Sequence, residues 1–172
     1  MVMREPLSIV LRHGATAGWS DSAVQLEALR ALIVLGLLSR QFLAAGIFFD
    51  RVYLQPEAAE RYPRRSYPFD FLFGMGELLL AVGASTVVGT VSPTFNVAVG
   101  FILLSEALWL VVSRILRHST SPKIAPGAVF NLITLAVWAL TIALAGDLAG
   151  GAVLIVLTAL HMLRLVSTYD KP

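Results

Sequence analysis

The chain has 172 residues, 57% of them hydrophobic and only 14% charged, with a formal net charge of +2. Soluble domains carry about 25% charged residues, so this balance, with a mean hydropathy of +0.78, belongs to a protein dissolved in a bilayer. There is no basic face interleaved with aromatics, which excludes nucleic-acid binding, and no cysteine, which excludes disulfides, thiolate metal sites and iron–sulfur clusters and leaves the redox compartment open.

Residues 1–25 are expected to form an extramembrane or interfacial segment. The apolar run from Pro6 to Leu11 is shorter than the roughly 7–15 residues of a signal-peptide core, and no small-residue cleavage site follows it. Within this segment Arg12-His13-Gly14, followed by Thr16, resembles the start of the catalytic motif of the histidine phosphatase superfamily, in which an arginine holds a phosphoryl group and the adjacent histidine attacks it. The resemblance implies a soluble α/β domain that brings a second histidine and further arginines around the phosphate. The remaining histidines are His118, in a loop, and His161, inside an apolar stretch, so the motif reads as a surface turn. Ser22 and Gln25 have the spacing of a capping box, which predicts a long helix from about Ala23 that enters the membrane after Arg30.

A helix needs about 20 apolar residues to cross the hydrocarbon of a bilayer. Stretches of that kind lie at about 28–49, 68–89, 95–115, 125–145 and 148–167. They predict an all-α, polytopic integral membrane bundle of about five transmembrane helices within residues 26–168, followed by a short tail, 169–172. The last two stretches are separated only by residues 145–151, so one unbroken run is the competing reading; the glycines there and Asp147 favour a tight turn. Arg51, Arg61, Arg64 and Arg65 follow the first stretch, Arg114, Arg117 and Lys123 the third, and Arg164 and Lys171 sit at the end. The loops near Thr90–Thr94 and Asp147 carry no lysine or arginine, which places the N-terminus outside and the C-terminus in the cytoplasm, with Arg4 and Arg12 weighing against. The expected location is a bacterial cytoplasmic (inner) membrane. Gly76-Glu77-Leu78-Leu79-Leu80 resembles short stretches of several families of small bacterial membrane proteins, DoxX-like ones among them, but five residues of hydrophobic composition assign none of these families.

Ionisable groups inside a span cost about 2.5–3.5 kcal/mol each, so they face the bundle interior and find partners there. Arg40, flanked by Ser39 and Gln41, is central in the first stretch, Glu77 in the second and Glu106 in the third. A helix rises about 1.5 Å per residue, so these three charges can share one layer. Asn131 and His161 are candidates to join them, with Asp70 and Arg164 secondary and closer to the surface, where Arg164 can snorkel or pair with Asp70. Gly127, Asn131, Thr134, Trp138, Thr141 and Ala145 form a small and polar stripe at helical spacing, as do Asp70, Gly74, Glu77, Ala81 and Ser85, and Gly36, Arg40 and Ala44. Such stripes let helices approach closely and should face inward.

One arginine offsets one carboxylate. With two glutamates in its layer, one of them is protonated, or His161 acts as a second cation, or an external cation or substrate amine completes the site. The function expected from Arg40, Gln41, Glu77, Glu106, Asn131 and His161 is to bind or relay a proton, a cation or a small polar solute. Glu77 and Glu106 would titrate, Arg40 would be the fixed charge, and Gln41 and Asn131 the neutral lining. The blander reading makes Arg40 and its carboxylate a clamp that fixes helix register. A non-catalytic accessory subunit of a larger membrane complex, or a homo-oligomer, is the first alternative, and a lipid- or quinone-modifying enzyme is the second. The latter needs a lateral opening from the bilayer, of which the sequence gives no sign. No catalytic residue and no metal is expected, the di-iron Glu-x-x-His pairing being absent, and the sequence names no cofactor. The stretches hold no lysine for a retinal Schiff base, and the chain has no P-loop or H-E-x-x-H motif.

Overall fold

The computed structural model describes residues 4–54, 67–89, 92–116 and 124–169, and its regular elements are all helical: α1 (Arg4–Ala17), α2 (Ser22–Phe49) with a π-helical turn Asp50–Leu54 at its end, α3 (Tyr67–Thr86), α4 (Ser92–Leu116) and α5 (Ile124–Tyr169). Arg61, Arg64, Arg65, Arg117, Lys123 and Lys171, which carry most of the expected orientation, lie outside the described residues, as do His118 and Thr90.

The helix boundaries follow local chemistry. Pro6, Pro68, Pro93 and Pro126 each lie in the first turn of a helix, where a missing N–H costs nothing. Gly18 ends α1 in the left-handed region (φ 89°), its N–H returning to Gly14 O at 3.1 Å. Asp21 then caps α2 by accepting from Ala23 N at 2.7 Å. The expected capping box on Ser22 does not form: Asp21 stands one residue closer to the turn, and Gln25 donates instead to Trp19 O at 3.4 Å.

Among the described residues four helices are long and apolar enough to cross a membrane: Ser22–Phe49, Pro68–Thr86, Pro93–Val112 and Gly127–Ser167. The last spans 41 residues, and drawn straight it would be about 62 Å long, twice the thickness of bilayer hydrocarbon. It is not straight. Gly146 takes φ 85° and ψ 177°, a conformation essentially confined to glycine, and the helix folds back there into two arms, 124–145 and 147–169. Across this hairpin the rings of Phe130 and His161 meet at 4.6 Å, and Ile142 occupies the place where Gly150 lacks a side chain.

The five long helical segments close into a ring. α2 lies beside α3, α3 beside α4, and α4 against the first arm of α5, where Gly127 admits Leu110. The second arm returns to α2, with Leu29 over Gly151 and Thr158 over Gly36. Leu37, Ala81, Ala84, Val88, Phe95, Val99, Ile102, Leu103 and Leu154 fill the interior, while Leu32, Phe42, Leu79, Phe101, Leu108, Leu140, Leu144 and Leu163 are exposed on the outside. Polar groups inward and aliphatic groups outward are the arrangement of an integral membrane protein.

α1 lies across one end of the ring, with Val10 in the core and Ile9 beside Gly89. Its Arg12-His13-Gly14 sequence has a structural occupation. A Cβ on Gly14 would stand 2.6 Å from the Trp19 indole, Thr16 donates to Arg12 O at 3.0 Å, and His13 Nδ1 lies 2.7 Å from Glu27 Oε2 on α2.

Candidate functional site

Near the middle of the ring each of the five segments contributes a buried polar side chain: Arg40 from α2, Glu77 from α3, Glu106 from α4, Asn131 from the first arm of α5 and His161 from the second. None is more than 8% exposed. The stripes that deliver them run as the spacing predicts, with Asp70, Glu77, Ala81 and Ser85 buried along α3 and Asn131, Thr134 and Trp138 buried along α5. Two members depart from it: Gly74, in the middle of the α3 stripe, and Ala145, at the end of the α5 stripe, are exposed.

Arg40 Nη2 donates to Glu106 Oε2, and Asn131 Nδ2 donates to the same oxygen at 3.0 Å. Glu77 lies within electrostatic reach of both Glu106 and Arg40, and His161 within reach of Arg40 and Arg164. Around this knot several buried atoms have no hydrogen-bond partner among the described residues: Arg40 Nη1, both amide atoms of Gln41, Glu77 Oε1, Asn131 Oδ1, Thr134 Oγ1 and His161 Nδ1. An unmade bond at a buried polar atom costs about 1–3 kcal/mol, so such a concentration is not explained by stability. It supplies both donors and acceptors in one layer. Among the described residues no three His, Asp or Glu side chains are grouped as a metal ion would require.

Two further polar levels flank this layer. About 15 Å along α2 from Arg40, Arg30 is buried, donates from Nη1 to Val88 O at 3.0 Å and holds its guanidinium 5.3 Å from the centre of the Phe95 ring. At the same level Asn96 Nδ2 donates to Asp147 Oδ1 at 3.0 Å, and Arg30, Asn96 and Asp147 line a small cleft. At the other end Asp70, 1% exposed, accepts from the Tyr53 hydroxyl and from Trp109 Nε1, the latter at 3.1 Å. Trp109 is stacked on Phe73 and meets Phe48 edge-on, which fixes its N–H on the carboxylate.

The structure thus brings Arg40, Glu77, Glu106, Asn131 and His161 together at one depth, with Gln41 and Thr134 beside them. Asp70 stands two turns from Glu77 on the same face of α3, and Arg164 lies over the Phe130 ring at 5.9 Å. The sequence pattern places Arg30 at the membrane boundary; in the structure it is buried, and Trp109 holds Asp70. A signal for Arg30 exists, since Leu29 and Ala31 flank it with apolar surface. None exists for Tyr53, whose position depends on the π-helical turn. Comparison of the chain with protein-family models, with curated proteins and with solved structures finds no match.

Proposed function

We propose that this protein binds a proton in the middle of the bilayer and relays it, with Glu77 as the group that gains and loses it. The observation that carries the reading is the unequal treatment of the two glutamates. Glu106 shares one oxygen between Arg40 and Asn131, while Glu77 Oε1 is buried with no partner among the described residues. The Arg40 guanidinium is engaged by Glu106, while Glu77 keeps a carboxyl oxygen outside that hydrogen-bonded knot. Glu106 is then the counter-ion of Arg40 and Glu77 the exchangeable acid. Gln41, Thr134 and His161 offer the hydrogen bonds that a hydrated proton or a small polar solute would need.

In this reading the chain crosses the bilayer five times, the α5 hairpin contributing two crossings, with the N-terminus outside and the C-terminus cytoplasmic. Asp70 then lies toward the cytoplasm and Arg30 toward the outside. The test is proton flux through purified protein in liposomes. Wild type is expected to pass protons, Glu77→Gln to lose flux while remaining folded, and wild type without flux would end the proposal.

One observation favours a second reading, a non-catalytic accessory subunit of a membrane complex: the bonds from Arg40 and Asn131 to Glu106 tie α2, α4 and α5 together whether or not anything moves. That reading predicts a partner that co-purifies in stoichiometric amount and no flux from the isolated chain.

A further inference from the structure

The contacts of α1 fix its depth in the bilayer. Along α2, Arg30 stands about 15 Å from Arg40, half the roughly 30 Å thickness of bilayer hydrocarbon. With the charged layer at mid-bilayer, Arg30 therefore marks the boundary between hydrocarbon and headgroups. Ile9 of α1 lies beside Gly89, the residue after the Val88 whose carbonyl accepts from Arg30, and His13 reaches Glu27, less than one turn beyond Arg30. Both attachments fall within about 5 Å of the Arg30 level although they are one turn apart on α1. The helix thus runs along the bilayer surface rather than into it.

Successive residues turn by about 100°, which gathers Val10, Gly14, Leu7 and Leu11 into one apolar arc and sets Arg12, Thr16 and His13 on the other side of the helix. Val10 joins the core and the Trp19 ring covers Gly14, but Leu7 and Leu11 are 49% and 60% exposed. The arc is thus half used by the bundle, and its unused half continues outward from the core at the depth where acyl chains meet headgroups. Arg4 and Arg12 are exposed on the same helix, and the exposed Trp19 follows it in the turn, a residue type favoured at that depth. We propose that α1 is a lipid-binding helix, with Leu7 and Leu11 resting on the acyl chains of the adjacent leaflet and Arg4 and Arg12 within reach of its phosphates. Two observations select lipid as the occupant: the apolar arc is continuous with a core whose other neighbour is hydrocarbon, and the cationic side chains beside it complement a phosphodiester.

This surface lies apart from the charged layer and goes beyond the proton-relay reading, so either can fail without the other. The chain has no cysteine, which makes single-cysteine labelling clean. Leu7→Cys, Leu11→Cys, Thr16→Cys and Leu32→Cys would each carry a nitroxide in vesicles of phosphatidylcholine and phosphatidylglycerol. All four positions are exposed, so the labels leave the packing in place; Thr16 represents the polar side of α1 and Leu32 the outer face of α2. Electron paramagnetic resonance then compares collisions with oxygen, which concentrates in hydrocarbon, and with a nickel chelate, which stays in water. The ratio of oxygen to nickel collisions at Leu7 and Leu11 is expected to exceed that at Thr16 by about threefold or more and to approach that at Leu32. Nickel access at Leu7 or Leu11 equal to that at Thr16 overturns the proposal. Spin–spin broadening at Leu7 or Leu11 that disappears on dilution with unlabelled protein also overturns it, since a second copy of the chain would then cover the leucines.

Discussion

The bundle brings an arginine, a carboxylate and an asparagine together twice, once half-buried near one end and once buried in the middle, and treats the two trios differently. At one end Arg30 is satisfied by a backbone carbonyl and the Phe95 ring, and Asn96 donates to Asp147. In the middle Arg40 and Asn131 converge on Glu106, but the layer holds a further carboxyl, Glu77, and a further imidazole, His161, with unpartnered atoms on both. The first trio shows what helix clamping requires. The second contains that clamp and exceeds it, and the excess is where function is to be sought.

The widest gap between the two should appear on removing each arginine. Arg40→Met strands Glu106 as a buried anion and is expected to cost about 3–5 kcal/mol, read by chaotrope unfolding in detergent. Gly150→Val, which forces a side chain into Ile142 at the hairpin beside the Arg30 level, is expected to cost about 1–3 kcal/mol. Arg30→Met loses a hydrogen bond to a carbonyl and a ring contact, so about 1–2 kcal/mol is expected, with proton flux intact. If Arg30→Met proved as damaging as Arg40→Met, the distinction between sealed and poised levels would fail. Glu77→Gln keeps shape and hydrogen-bonding capacity, so its stability should change by less than about 1 kcal/mol while flux is lost. His13→Ala, at an ion pair whose histidine is 54% exposed, should shift stability by less than about 1 kcal/mol and leave flux unchanged.

Much of the middle layer is legible in the sequence. The polar stripes of α3 and α5 carry their register there, because period and burial coincide wherever a polar residue sits among aliphatics. Arg40, Glu77 and Glu106 share a depth that residue counting alone finds. The turn in α5 is legible from Gly146 and its neighbours, although residue types do not tell a fold-back from a bend. Two features are not legible. Which glutamate Arg40 selects depends on side-chain reach across the ring, which spacing does not encode. The bond from Trp109 to Asp70 joins α4 to α3 through a stacked aromatic cluster.

The most direct test of the central claim is the pH-difference infrared spectrum of the protein in bilayers, following the carbonyl stretch of protonated carboxylic acids in wild type, Glu77→Gln and Glu106→Gln. A titrating acid band that vanishes in Glu77→Gln and survives in Glu106→Gln is the result expected of an exchangeable Glu77 beside a locked Glu106. A band that survives Glu77→Gln, or vanishes only with Glu106→Gln, would contradict it.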